Sequence, residues 1–77
     1  MMKSYLVVWF NSEGGTPSEV NDRLTAMGFK AMQGAYDYVY DWGSNASLDD
    51  ILRIGDRVQL TLRGLDVTFK IETVGGS

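Results

Sequence analysis

The chain has 77 residues, a formal net charge of −3, and neither cysteine nor histidine. This length supports one small domain, and 44% hydrophobic residues are typical of a globular chain. The missing residue types exclude disulfides, thiolate metal sites and Ser-His-Asp catalysis, and the negative charge argues against nucleic acid as a partner. The longest apolar run, Leu6 to Phe10, is too short to cross a bilayer. We expect a cytoplasmic protein with no signal peptide, membrane segment, metal or cofactor.

The first part of the chain predicts a strand, a helix and a short strand. Residues 5–10 are apolar at both alternating sets of positions, which is typical of a central strand. Thr16 is the predicted N-cap of a helix over 17–27, and Gly28 is predicted to end it. Residues 29–33 are too few for a helix and predict a brief strand.

The second part predicts a strand, a helix and a strand. Residues 35–42 alternate aromatic and other side chains, as a strand does. Ser47 is the predicted N-cap of a helix that continues to about residue 63, and Gly64 follows as a stop. Residues 65–74 predict a final strand with one apolar row. The apolar face of the second helix is predicted to contain Leu48, Ile51, Leu52, Val58 and Leu62, with Gly55 in line for close packing or a kink.

The element order β-α-β-β-α-β predicts an α+β fold of the ferredoxin-like plait type. In this plait a four-stranded antiparallel sheet, in the strand order 4-1-3-2, carries both helices on one face. We expect residues 1–74 to form this single domain and residues 75–77 to be a flexible tail.

Alternation along the strands predicts which side chains face the helices. The predicted helix-facing rows are Val67, Phe69 and Ile71 of the last strand and Tyr36, Tyr38, Tyr40 and Trp42 of the third. The opposite, open face would then hold Asp37, Val39 and Asp41, with acidic flanks around an apolar centre. Alternation leaves open which row of the first strand lies there, the row of Val7 and Trp9 or the row of Leu6 and Val8.

An apolar strip on an open sheet face needs cover, and the predicted elements leave no segment to supply it. A second copy of the chain can supply it, because an apolar strip with a polar rim is the usual pattern of an interface. The sequence therefore predicts a homodimer with an interface at Val39, Val7 and Trp9.

Gly34, Tyr36 and Asp37 form a G-x-Y-D motif at the junction of the second and third strands. With the strand, helix and edge strand that follow, the motif resembles the effector-binding domain of the Lrp/AsnC regulators and the stand-alone GYD-type domains. The resemblance covers residues 3–74 and implies a dimeric α+β barrel that stands alone without a helix-turn-helix. It also implies a small-ligand site at these three residues, near the subunit contact. A hairpin corner explains Gly34 equally well.

These observations predict a non-enzymatic, self-associating module that binds a small ligand between subunits. One alternative is a small cofactor-free enzyme of the dimeric-barrel kind, working through tyrosines and carboxylates, which the absence of histidine disfavours. Another is an adaptor or nucleic-acid-associated plait, which the negative charge disfavours. At the first helix, residues 14–16 could bind an anion through backbone amides or serve as a plain connecting loop.

Overall fold

The structure, a computed structural model, describes residues 2–43 and 46–75. Within these ranges the chain forms an α+β fold of four strands and two helices, in the predicted order. The elements are β1 (Met2–Phe10), α1 (Pro17–Met27), β2 (Lys30–Ala31), β3 (Tyr38–Gly43), α2 (Leu48–Thr61) and β4 (Val67–Gly75). Gly75, predicted to begin a flexible tail, belongs to β4, and the other two tail residues lie outside the described ranges.

The strands form one antiparallel sheet in the order β2-β3-β1-β4, so that β1 and β3 are central as predicted. The ladder between β1 and β4 is the longest and runs from the pair Met2 and Gly75 to the pair Phe10 and Val67. The ladder between β1 and β3 ends earlier, at the pair Leu6 and Tyr38. The second half of β1 therefore has a strand neighbour on one side only among the described strands.

Both predicted N-caps are confirmed. The Thr16 side chain accepts a hydrogen bond from the Glu19 amide at 3.3 Å, and the Ser47 side chain accepts one from the Asp50 amide at 3.1 Å. Gly28 ends α1 with a φ of 110°, a left-handed conformation that favours glycine. The cap residues therefore set where both helices begin, because they satisfy amides that the helix itself leaves free.

The core lies between one face of the sheet and both helices. Its buried apolar residues are Leu6, Val8, Val20, Leu24, Phe29, Tyr38, Ile54, Val58, Leu62 and Leu65. Leu6 and Val8 come from the same side of β1, so the row of Val7 and Trp9 lies on the open face. This settles the alternative that alternation alone left open.

The predicted apolar face of α2 is partly wrong. Leu48 and Leu52 are 70% and 65% exposed, whereas Ile54 and Val58 are buried. Apolar residues extend around more of this helix than the stripe that can touch the sheet, so the pattern does not fix the helix rotation. An added Cβ at Gly55 would meet nothing within 4 Å, so close packing does not require glycine there.

The predicted position of Tyr36 is also wrong. Tyr38, Tyr40 and Trp42 contribute to the helix side as expected, but Tyr36 lies on the open face, where its ring stacks on Tyr5. The reason is that β3 begins only at Tyr38, and the bends at residues 34, 35 and 37 interrupt the alternation. The predicted strand over 29–33 is likewise shorter, at Lys30–Ala31.

Candidate functional site on the open sheet face

The face of the sheet opposite the helices has no described element over it. The residues predicted to form an interface meet here: Val7 and Trp9 lie on the same side of β1 as Tyr5, and Val39 of β3 pairs directly with Tyr5. Trp9 is 52% exposed, whereas Val7 and Val39 are half-buried. We call Tyr5, Val7, Trp9 and Val39 the apolar strip. The structure thus brings the predicted interface residues onto one surface.

A cross-strand row fixes the surroundings of the apolar strip. Lys30 pairs with Val39, Val39 pairs with Tyr5, and Tyr5 pairs with Glu72. Paired residues in an antiparallel sheet project to the same side. The row therefore crosses all four described strands, with a lysine at one end and a carboxylate at the other.

Tyr36 lies over this row. Its ring centroid is 4.8 Å from that of Tyr5 with an interplanar angle of 29°, and its hydroxyl donates a 2.6 Å hydrogen bond to Oε2 of Glu72. This hydrogen bond is the main reason that the pKa of Tyr36 is raised, followed by burial and the negative charge of Glu72. Tyr36 is therefore held against the sheet by two contacts, one with β1 and one with β4.

Asp37 directly precedes β3 and extends the sheet there. Its amide donates to the Leu6 carbonyl at 2.9 Å, and its Oδ2 accepts a 2.9 Å hydrogen bond from the amide of Val8. Its carbonyl accepts from the Met32 amide at 3.0 Å. The carboxylate thus accepts the hydrogen bond that a backbone carbonyl would accept if β3 began earlier and continued beside β1. One of its oxygens is engaged by the backbone rather than directed to a ligand.

Gly34 lies in the turn before this tract. Its φ is +117°, and an added Cβ would meet nothing within 4 Å. The backbone conformation therefore explains the glycine, as a hairpin corner does, and no neighbour crowds the position. Of the three predicted ligand residues, the structure places Tyr36 on the open face, Asp37 at the margin of β1, and Gly34 in an exposed turn.

The open face carries both signs of charge rather than the predicted acidic flanks. All three lysines of the chain face this side: Lys3 pairs with Asp41, Lys30 with Val39, and Lys70 with Val7. The sequence predicts no face for Lys3 or Lys30, because Lys3 precedes the predicted first strand and Lys30 lies in a short strand whose facing is not predicted. A shallow recess of about 320 Å³ beside them is lined by Lys3, Gly28, Lys30, Val39 and Asp41.

The loop before α1 serves as a connection. The Gly15 amide donates a 2.7 Å hydrogen bond to the Leu65 carbonyl, so it is not free for an anion. An added Cβ at Gly14 would lie 2.4 Å from the same carbonyl oxygen. The two glycines are therefore explained by close approach of the loop to Leu65. In residues 2–43 and 46–75 no group of three acidic side chains is arranged to hold a metal ion.

Comparison with protein-family models, curated proteins and solved structures finds no match to this chain. The resemblance of the G-x-Y-D tract to the Lrp/AsnC and GYD-type domains therefore stays a prediction. Within the described parts of the chain, neither helix is long and apolar enough to span a membrane.

Proposed function

We propose that this chain is a non-enzymatic, self-associating module whose open sheet face packs against the same face of a second copy. The observation that carries the proposal is the apolar strip, which includes the half-exposed indole of Trp9 and lies under no described helix or strand, with only Tyr5 covered by the ring of Tyr36. Tryptophan and tyrosine supply much of the binding energy of protein interfaces. A small domain with a thin core also gains stability by burying such a strip.

The charges of this face support a second copy as the occupant. In a two-fold interface the same surface meets itself, so it must carry both signs of charge to be self-complementary. The open face does so, with all three lysines of the chain alongside Asp41 and Glu72. All four arginines and most of the carboxylates lie in the helices and loops, so the net charge of −3 is not concentrated on this face.

The proposed architecture is the ferredoxin-like plait. Read from the β4 edge, the strand order is β4-β1-β3-β2, and the core residues of both helices pack with the Leu6 side of β1. In such a plait the helices cover one face and leave the other available for association.

The test is the oligomeric state of the full chain in solution. Sedimentation at tens of micromolar should show a dimer or a larger assembly, and Val39→Asp should lower the association state because the interface would have to remove the new carboxylate from water. Leu60→Asp is the matched control, since Leu60 is an exposed apolar residue of α2 away from the open face. Circular dichroism verifies that both variants fold. A wild-type monomer of 8.6 kDa, or a folded Val39→Asp variant with the same association state as the wild type, would contradict the proposal.

The proposal extends to a small ligand held between the subunits next to Tyr36. The stacked rings of Tyr5 and Tyr36 offer an aromatic surface, and the Glu72 carboxylate lies at its margin. Free amino acids are the probes, because the resemblance of the G-x-Y-D tract implies an effector of this class. Resonance shifts confined to Gly34, Tyr36 and Tyr5 would support the site. Unchanged spectra at millimolar probe would remove the ligand from the proposal and leave self-association.

A further inference from the structure

The outer edge of β4 is a second surface with the properties of an interface. β4 is the last strand of the sheet and spans nine residues, Val67–Gly75, so it is long for an edge strand. Natural edges are usually protected by prolines, bulges, short length or charges of one sign, because a row of free backbone groups invites another strand, whereas the charges of β4, Lys70 and Glu72, have opposite signs. β4 contains no proline and pairs with β1 in one uninterrupted register.

The hydrogen bonds of β1 show which backbone groups of β4 point outward. The amide of Val8 donates toward the β3 side, to Asp37, so it is not directed to its pairing partner Phe69 on β4. Amide and carbonyl directions alternate along a strand. The backbone groups of Phe69, and with them those of Ile71 and Thr73, therefore point away from β1 and have no strand partner among the described residues.

This edge is self-complementary about Ile71. Ile71 is the central residue of Val67–Gly75, so antiparallel pairing about a two-fold axis there would use the whole strand. In that register Ile71 meets Ile71 of the second copy through its outward amide and carbonyl groups. Lys70 then lies directly opposite Glu72 of the second copy, and Glu72 opposite Lys70. Opposite charges placed across neighbouring strands stabilise the pairing.

The helix side of the same edge has exposed leucines. Gln59 of α2 lines a cavity with Val67 and Phe69, so this side of α2 is turned toward β4. Leu52 lies two turns before Gln59, and Leu48 one turn before Leu52, so both share that side. Both leucines are exposed, and Phe69 and Ile71 beneath the helices are only half-buried. A second sheet joined at β4 would place the helix-side face of the second copy next to Leu48 and Leu52.

We infer that β4 pairs antiparallel with β4 of a second copy about a two-fold axis at Ile71, giving a continuous eight-stranded sheet. This pairing is supported by the outward backbone groups, the central position of Ile71 and the reciprocal Lys70 and Glu72 charges. The inference does not rest on the proposed function, which concerns the open face. With both interfaces present, each copy would contact two neighbours.

Single cysteines test the register, because the chain has none of its own. Lys70→Cys and Glu72→Cys are prepared separately, one of them labelled with ¹⁵N, then mixed in equal amounts and mildly oxidised. The proposed register places these two positions directly opposite, about 4.5 Å apart between Cα atoms. In either variant alone, the two copies of the cysteine are about 8 Å apart from strand rise and spacing, which is beyond disulfide reach.

The expected result is a mixed disulfide that forms roughly tenfold faster than either symmetric one, because only the mixed pair has bonding geometry. Mass spectrometry separates the three products by label. Equal rates for all three would overturn the register. The mixed disulfide should also form at an unchanged rate when both variants carry Val39→Asp. If the mixed disulfide no longer forms in the Val39→Asp background, the inference of a separate edge interface is overturned. If it still forms although the open-face dimer is absent, the edge interface is supported and the proposed function fails alone.

Amide hydrogen exchange of the wild-type chain gives an independent readout without any substitution. The outward amides of Phe69 and Ile71 should exchange more slowly as protein concentration rises, by about tenfold or more when the edge is paired. The amides of Lys70 and Glu72 point toward β1 and serve as internal controls, with protection that does not depend on association. Fast exchange of Phe69 and Ile71 at every concentration at which the protein is dimeric would overturn the inference.

Discussion

The indole Nε1–H of Trp42 donates a 2.8 Å hydrogen bond to Oγ of Ser4, which is fully buried. The Ser4 oxygen is also 2.7 Å from Oγ1 of Thr73. Three hydrogen-bonded side chains, Trp42, Ser4 and Thr73, therefore connect β3 through β1 to β4 on the helix side of the sheet. The indole N–H needs a hydrogen-bond acceptor once it is removed from water, and Ser4 supplies that acceptor to Trp42.

Replacing Ser4 with alanine should lower the free energy of unfolding by roughly 1–3 kcal/mol, because the indole N–H of Trp42 would lose its acceptor. Urea denaturation monitored by tryptophan fluorescence measures the change. Ser12→Ala, at an exposed loop position, is the control and should change stability by no more than about 0.5 kcal/mol. An unchanged midpoint for Ser4→Ala would show that the hydrogen bond contributes nothing.

Asp37 provides a test of whether the G-x-Y-D tract is structural. Asp37→Ala should cost roughly 1–3 kcal/mol, because the Val8 amide loses its acceptor at the end of the β1–β3 ladder. Asp37→Asn keeps a side-chain oxygen that can accept the same bond and should cost less. Thermal denaturation of the two variants decides the point. Equal losses would mean that the negative charge matters rather than the acceptor.

Two glycines should respond to alanine in opposite directions. Gly55→Ala should raise the free energy of unfolding by about 1 kcal/mol, because the position is inside α2 and the added methyl group meets open space. Gly14→Ala should lower it, because its Cβ would lie 2.4 Å from the Leu65 carbonyl oxygen and the loop would have to move. Shifts of the melting temperature with the same sign would contradict this account.

The Tyr36 hydroxyl predicts a change in stability at alkaline pH. Its hydrogen bond to Glu72 raises its pKa above the ordinary value of 10.0, so the folded state holds the phenolic proton more tightly than the unfolded state. This contribution to stability is complete below pH 10.0 and is lost as the pH rises through the folded-state pKa.

Absorbance titration of tyrosinate measures this effect. Burial raises the pKa of Tyr38 as well, so the wild type should contain at least two phenols that ionise late. Tyr36→Phe should remove one of them and weaken the alkaline loss of stability. Glu72→Gln keeps an acceptor but removes the charge, and should bring the Tyr36 pKa closer to 10.0. If Tyr36→Phe instead removed a phenol that ionises near pH 10.0 and left the late-ionising phenols unchanged, the hydrogen bond would be absent in solution.

The features that the sequence predicts well are those with local causes. Thr16 and Ser47 start helices because each side chain satisfies an amide three residues later, a contact that depends on few other parts of the chain. The central positions of β1 and β3 follow from their apolar and aromatic composition. The apolar strip could likewise be anticipated, because a strand that is apolar on both sides must present one row to the open face.

The features that the sequence does not predict depend on tertiary contacts. The bends before β3 turn Tyr36 to the open face, and alternation cannot indicate where a strand begins. The burial of Ser4 requires the indole of Trp42 beside it, which no spacing in the chain reveals. The charge of the open face depends in the same way on the pairing of Lys3 and Lys30 with β3.

The ladder between β1 and β4 joins the two ends of the described chain, since Met2 pairs with Gly75 and Phe10 with Val67. These contacts therefore have a very high contact order, and closing so long a loop is expected to slow folding. Until β4 arrives, β1 has one open edge, which at high protein concentration can pair with β4 of another molecule in place of its own. Refolding at high protein concentration should consequently produce strand-exchanged dimers, which separate only when both sheets unfold.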